Sequence, residues 1–260
     1  MSKAKHNNFT LIELLIVISI IGVLAGMLMP ALVAAKESGM GSSCVTNLKQ
    51  LASAALMYAD ENRGIMSPCS NGSTCCNGRT WTGNRAANPR RTDLRTQGLI
   101  TRYAAENLEI KVCPSVRPQV EAQLALAPND AGYCRGGGYG LNANFGWSGG
   151  VGKPVTAGKI VSPGSKIMFS DTMESWGNSV AYSLRLVPRG ILVGSTSDMG
   201  YSNTHFRHHG RANVGWADGH ISGEMPAELG VDPFEIDNGI GYLSTDKKPY
   251  RLTAEQERMD

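Results

Sequence analysis

Apolar and polar residues alternate along this chain in three different ways. From Leu14 to Ala35 no residue is charged, a run of 22 positions, long enough for a helix to cross a bilayer. After Pro30 the uniform apolar run gives way to a one-faced pattern. Leu48, Leu51, Ala52, Ala55, Leu56 and Ala59 recur at helical spacing, while Lys49, Gln50, Asp60 and Glu61 occupy other faces. Gly64, just after Asn62-Arg63, predicts the stop. One helix from Phe9 to Asn62 would hold 54 residues, about 80 Å at 1.5 Å per residue. A single compact domain does not bury that length, so the first half is expected in lipid or against other subunits. The "SGMGSS" stretch at 38–43 is a weak helical patch, because Gly costs about 1 kcal/mol relative to Ala.

Beyond the helix the third regime begins. Residues 65–88 read as loop. "LITRYAAENLE" (99–109) and "RPQVEAQLALA" (117–127) predict short helices. "KIMFSD" (166–171), "VAYSLRLV" (180–187) and "ILVG" (191–194) predict strands. "ANVGWADGHISGEM" (212–225) predicts a hairpin, two alternating runs about an Asp-Gly turn. The expected class is therefore α+β: a long N-terminal α-helix, transmembrane in its first half, packed on a C-terminal antiparallel β-sheet with long loops. The expected divisions are a leader at 1–8, a membrane helix at 9–35, the amphipathic half of the helix at 36–64, and a body at 65–260.

Charge adds one constraint. The net charge of +3 is too small to indicate a nucleic-acid partner, and the arginines of 85–95 read as a solvated loop. Lys3 and Lys5 precede the apolar run, which is longer than a secretory core and lacks a clean small-residue cleavage site. A signal anchor with its basic end in the cytoplasm fits better. Glu13 then needs an account, since an ionised carboxylate inside a spanning helix costs roughly 2.5–3.5 kcal/mol. No Lys or Arg falls between Lys5 and Lys36. Removal of the leader before Phe9 would place a new α-amino group four residues from Glu13. In staggered identical helices, one subunit's amine could meet its neighbour's Glu13. The plainer reading leaves Glu13 at headgroup level.

The stretch "FTLIELLIVISIIGVLAGMLMPAL" resembles the N-terminal signature of type IV prepilins and of type II secretion pseudopilins. The resemblance runs from Phe9 to about Gly64. It implies a prepilin peptidase that cuts between Asn8 and Phe9 and methylates the new amine. It also implies that Glu13 registers subunits in a filament, with Thr10 and the kink-forming Pro30 fitting the same pattern. Such chains usually carry Gly before the cut, and here Asn8 stands there.

Four of the five histidines, His205, His208, His209 and His220, crowd into "HFRHHGRANVGWADGH" with Asp218. His208 and Asp218 are candidate metal ligands, although the Asp-Gly pair also reads simply as a turn. No Ser or Cys nucleophile has a convincing setting and no phosphate loop is present, so no enzyme is expected. His208, nine residues, then Asp218-Gly219 resembles the H-x9-DG element of a large group of prepilin-like proteins. "CVTNLKQLASAALMYADENRG", "VCPS", "YGLN" and "KIMFSDT" fit the same group. Some pseudopilins bind calcium in a C-terminal loop; no matching loop is evident here, so no cofactor is expected beyond a possible metal ion such as calcium.

Six cysteines, Cys44, Cys69, Cys75, Cys76, Cys113 and Cys134, permit disulfides on an exported chain but do not have the paired C-x-x-C halves of a zinc module. Cys44 and Cys113 fall in phrases shared with the H-x9-DG group, which suggests a disulfide pinning body to helix. The expected partners are prepilin peptidase, the inner membrane and other pilin or pseudopilin subunits. The expected location is the bacterial inner membrane, with the body outside the cytoplasm and a filament after assembly. The alternative is an anchored extracytoplasmic module that binds a glycan or metal and does not polymerise.

Overall fold

The computed structural model describes residues 11–69, 80–85, 92–93, 97–104, 108–125, 136–146, 155–176, 179–187, 201–229, 233–246 and 248–253. Asn8, Phe9, Thr10, Cys75, Cys76, Cys134 and the "ILVG" segment lie outside them. The chain divides into two units, Met1–Gly39 and Met40–Asp260.

Helix α1 runs from Leu11 to Glu61 and continues through Pro30. Pro30 removes the backbone donor that would bond the Gly26 carbonyl. Every residue from Leu11 through Gly39 is exposed, including Leu11, Ile12, Met27 and Leu32. This is one helix long and apolar enough to cross a membrane.

From Met40 onward the helix is one-sided. Cys44, Leu48, Leu51, Ala52, Ala54, Ala55 and Ala59 are buried, which follows the predicted face, with Leu56 at its margin. Full burial of Leu48 and Leu51 contributes about 1.5–3 kcal/mol each. The helix ends where Arg63 and Gly64 both turn left-handed, and the Gly64 N–H closes back on the Ala59 carbonyl at 2.8 Å.

Among the described residues the body has eleven strands. β1 (Asn84–Arg85) and β2 (Thr92–Asp93) form a small separate ladder. The main sheet contains β3 (Tyr139–Asn142), β4 (Ile167–Trp176), β5 (Ser179–Ala181), β6 (Arg185–Leu186), β7 (Tyr201–His205), β8 (Ala212–Trp216), β9 (Ile221–Glu224), β10 (Glu228–Leu229) and β11 (Ile240–Tyr242). The β8–β9 hairpin appears where the alternating pattern placed it. Helix α2 (Arg117–Ala125) matches its predicted segment, and a short α3 covers Pro233–Asp237. Residues 99–109 instead carry 3-10 turns, over Thr101–Tyr103 and from Leu108.

β4 organises the sheet because each edge of this long strand takes two partners. On one edge β3 pairs with Phe169–Asp171 and β5 with Glu174–Trp176. On the other, β8 pairs with Ile167–Ser170 and β7 with Thr172–Ser175. The sheet is not wholly antiparallel as expected, since β3 and β6 pair parallel. The cause is geometric. β5 leaves the hairpin antiparallel to β4, as β3 already runs. When the chain moves outside β3 to form β6, the two share a direction. The same sidestep breaks the predicted strand 180–187 between Ala181 and Arg185.

The main core joins the buried face of α1 to Trp81, Tyr139, Leu141, Phe145 and Phe169. Trp81 packs on Phe169 with ring centroids 5.2 Å apart and donates its indole N–H to the Leu184 carbonyl at 2.6 Å. A second cluster, Ile167, Leu186, Val214 and Tyr250, holds the C-terminal segment. The buried amides of Asn142 and Asn144 both donate to the Tyr250 carbonyl at 2.9 Å.

Candidate functional site

The edge of β4 shared by β7 and β8 is interrupted. Thr172 faces Thr204 on β7 and Ser170 faces Val214 on β8. Between them the chain leaves the ladder from Phe206 to Asn213, and the break falls opposite Asp171. The tip of this excursion is a tight turn. His208 and Arg211 exchange backbone bonds of 2.9 and 3.0 Å, while His209 (φ 53°) and Gly210 (φ 74°) are both left-handed. Two consecutive left-handed residues define a two-residue hairpin turn.

Asp171 anchors the excursion. Its carboxylate, fully buried, accepts the Asn213 backbone N–H at 2.7 Å. Arg207 Nη2 lies 3.5 Å from Oδ1, and His208 Nε2 lies 3.4 Å from Oδ2. Arg207 also donates to the Gly138 carbonyl at 2.6 Å and the Thr172 carbonyl at 3.2 Å. Burial pushes the Asp171 carboxyl up, but Arg207, His208 and the Asn213 N–H outweigh it and hold the group below the usual carboxylate range.

The same His208 nitrogen stands 3.7 Å from Cys113 Sγ. With Cys44 of α1, the three ligand atoms all lie within 4.8 Å of one another. Burial works against a charged His208, yet its bonds to Asp171 and Cys113 raise it to about 9. Burial likewise opposes a Cys113 thiolate, but hydrogen bonds from Cys44 and His208, with the Arg207 charge, bring the thiol down to about 5. Cys44 moves the other way, pushed up first by its hydrogen bond to Cys113 and then by burial. His205 is held neutral, lowered to about 3 by burial and by the Arg207 charge.

The structure therefore brings together Cys44 and Cys113, the pair suggested for a disulfide, as two thiols. Cys69 is buried elsewhere, its Sγ 3.3 Å from the Leu141 carbonyl. His208 and Asp218 are not brought together. Asp218 Oδ1 bonds His220 Nδ1 at 2.6 Å and the His220 backbone N–H at 3.1 Å in the β8–β9 turn. Its loop, residues 217–220, is turned by the left-handed Gly219 (φ 94°). Two other groups, Asp171 and Arg207, had not been singled out. Asp171 left a signal, an acid inside the strand β4, where Asp is disfavoured.

The nine-residue spacing acquires a geometric meaning. A Cβ on Gly41 would stand 3.6 Å from His208 Nδ1, and one on Gly219 would stand 3.1 Å from Leu56 Cδ1. Both ends of the H-x9-DG element thus rest on α1, with β8 between them. Gly41 to Leu56 is about 22 Å of helix rise, and the five residues of β8 give about 17 Å, leaving the two turns to cover the rest.

No protein-family model, curated protein or solved structure matches this chain.

Proposed function

We propose that the chain is a structural subunit of the pilin or pseudopilin type. It is anchored in the inner membrane by the apolar half of α1, trimmed before Phe9 by a prepilin peptidase, and assembled through that helix into a pilus or a secretion-type pseudopilus. The body stands outside the cytoplasm and sets contacts, and the chain performs no catalysis. The observation that carries this reading is the helix stretch from Leu14 to Ala35, uncharged and exposed on every side. Exposed apolar area on that scale marks a surface meant for lipid or for other chains. Glu13, within its first turn, gives identical helices a charge by which to set their stagger against a neighbour's amine.

Glu13→Ala and Glu13→Val test it in cells that carry the peptidase and an assembly machine. Both variants should enter the membrane like the parent but be depleted from sheared filaments. Equal incorporation counts against the reading. Asn8, in the place usually taken by Gly, favours a second reading, a static anchored module that binds a glycan or metal without polymerising. In that case the leader stays attached.

A further inference from the structure

Three segments distant in sequence converge at the excursion: α1 through Cys44, the turn before Pro114 through Cys113, and the tip of the 206–211 turn through His208. Cys44 and Cys113 are fully buried, and the His208 side chain is 10% exposed. We propose that Cys44 Sγ, Cys113 Sγ and His208 Nε2 supply three ligands of a zinc site that clamps the amphipathic half of α1 to the body. This inference does not depend on filament assembly.

The distances fit. Zinc–sulfur bonds of about 2.3 Å and zinc–nitrogen bonds of about 2.0 Å at tetrahedral angles put ligand atoms about 3.5–3.8 Å apart. Cys113 Sγ and His208 Nε2 are 3.7 Å apart, and no pair in the trio exceeds 4.8 Å. The donor set fits as well. Two thiolates and an imidazole suit a borderline-soft ion and do not suit calcium or magnesium, which take oxygen. The surroundings complete the balance. Asp171 Oδ2 lies 3.4 Å from the same His208 nitrogen, and Arg207 stands beside Asp171. Two thiolates and one carboxylate against one guanidinium and one divalent cation sum to zero, the condition for holding so many charges in a buried place. The segment's local structure also serves the site. The turn over His209–Gly210 and the Asn213 N–H bond to Asp171 fix the loop that presents His208. A disulfide would use the two sulfurs and take from His208 Nε2 the Cys113 thiol that it now meets at 3.7 Å.

The test uses the full chain, expressed with zinc in the medium and purified in detergent without chelator. Elemental analysis should find one zinc per chain, released by a mercurial that titrates thiols. Cobalt exchanged into the same protein should show thiolate charge-transfer and tetrahedral ligand-field bands, a readout that needs no variant. Cys113→Ser and His208→Ala should lose the metal, and His208→Cys should keep it with an altered cobalt spectrum. Metal-free parent protein in which peptide mapping without reductant finds Cys44 joined to Cys113 would overturn the assignment. So would zinc retained at full stoichiometry in a folded Cys113→Ser, His208→Ala double variant.

Discussion

Replacement of Gly219 by alanine puts the geometry of the H-x9-DG element to a quantitative test. Gly219 closes the β8–β9 turn at φ 94°, and a Cβ there would meet Leu56 Cδ1 at 3.1 Å. Holding an L-residue in left-handed backbone costs about 1–2 kcal/mol. Rotating Leu56 aside to admit the methyl adds about 0.5 kcal/mol. Gly219→Ala should therefore destabilise the body by about 2 kcal/mol, a fall of about 4–8 °C in Tm for a domain of this size. The two contributions separate in a double variant. Leu56→Ala removes the contact but not the backbone cost, so Gly219→Ala should cost less, about 1–1.5 kcal/mol, when added to Leu56→Ala. Gly219→Asn should cost less than Gly219→Ala, because Asn tolerates left-handed backbone. The assay is thermal unfolding of the full chain in detergent, followed by tryptophan fluorescence. A Tm within about 1 °C of the parent for Gly219→Ala, or an alanine cost unaltered by Leu56→Ala, would refute the argument that this turn is pinned against α1.

Other perturbations reach different parts of the account. Asp171→Asn keeps the shape and an acceptor for Asn213 but leaves Arg207 buried opposite a neutral amide, so it should cost about 3–5 kcal/mol in chemical denaturation. Adding Arg207→Met should recover part of that loss, and no recovery would mean the pair is not coupled. His205 binds its proton only near pH 3 when folded and near 6.5 when unfolded. Between those values the unfolded chain carries the extra proton, so stability should fall as pH drops, by up to about 1.4 kcal/mol per unit. His205→Phe should flatten that slope across the same window, and an unchanged slope would show that His205 is not held neutral. Leu48→Ala, deleting a fully buried side chain of α1, should cost about 2–5 kcal/mol; a loss under about 1 kcal/mol would show that this helix face is not packed.

What could be read from the residues was what repeats locally. The face of α1 follows from helical periodicity: of the predicted positions Leu48, Leu51, Ala52, Ala55 and Ala59 are buried and Leu56 is half-buried. The β8–β9 hairpin follows from alternation around Asp218-Gly219. The site was less legible, because its partners are set by topology. His208 meets Cys113 across 95 residues, and it meets Asp171 because β7 and β8 share one edge of β4 with a break opposite that residue. Nearness in sequence suggested Asp218 instead, but the turn gives that carboxylate to His220. The parallel β3–β6 pair was likewise hidden, since strand direction there depends on which edge of β4 the chain has already used. Cys44 and Cys113 were linked from resemblance alone, and the fold places them together with a third ligand that their spacing does not announce.

The reading of the chain as a processed filament subunit rests on what happens at Phe9. N-terminal sequencing of the protein recovered from sheared surface filaments, with the matching membrane fraction beside it, measures this directly. The account predicts a chain beginning at a methylated Phe9 in the filaments. Protein that keeps Met1 or Ser2 in every fraction, and never appears in filaments, would contradict it and leave α1 as a tether.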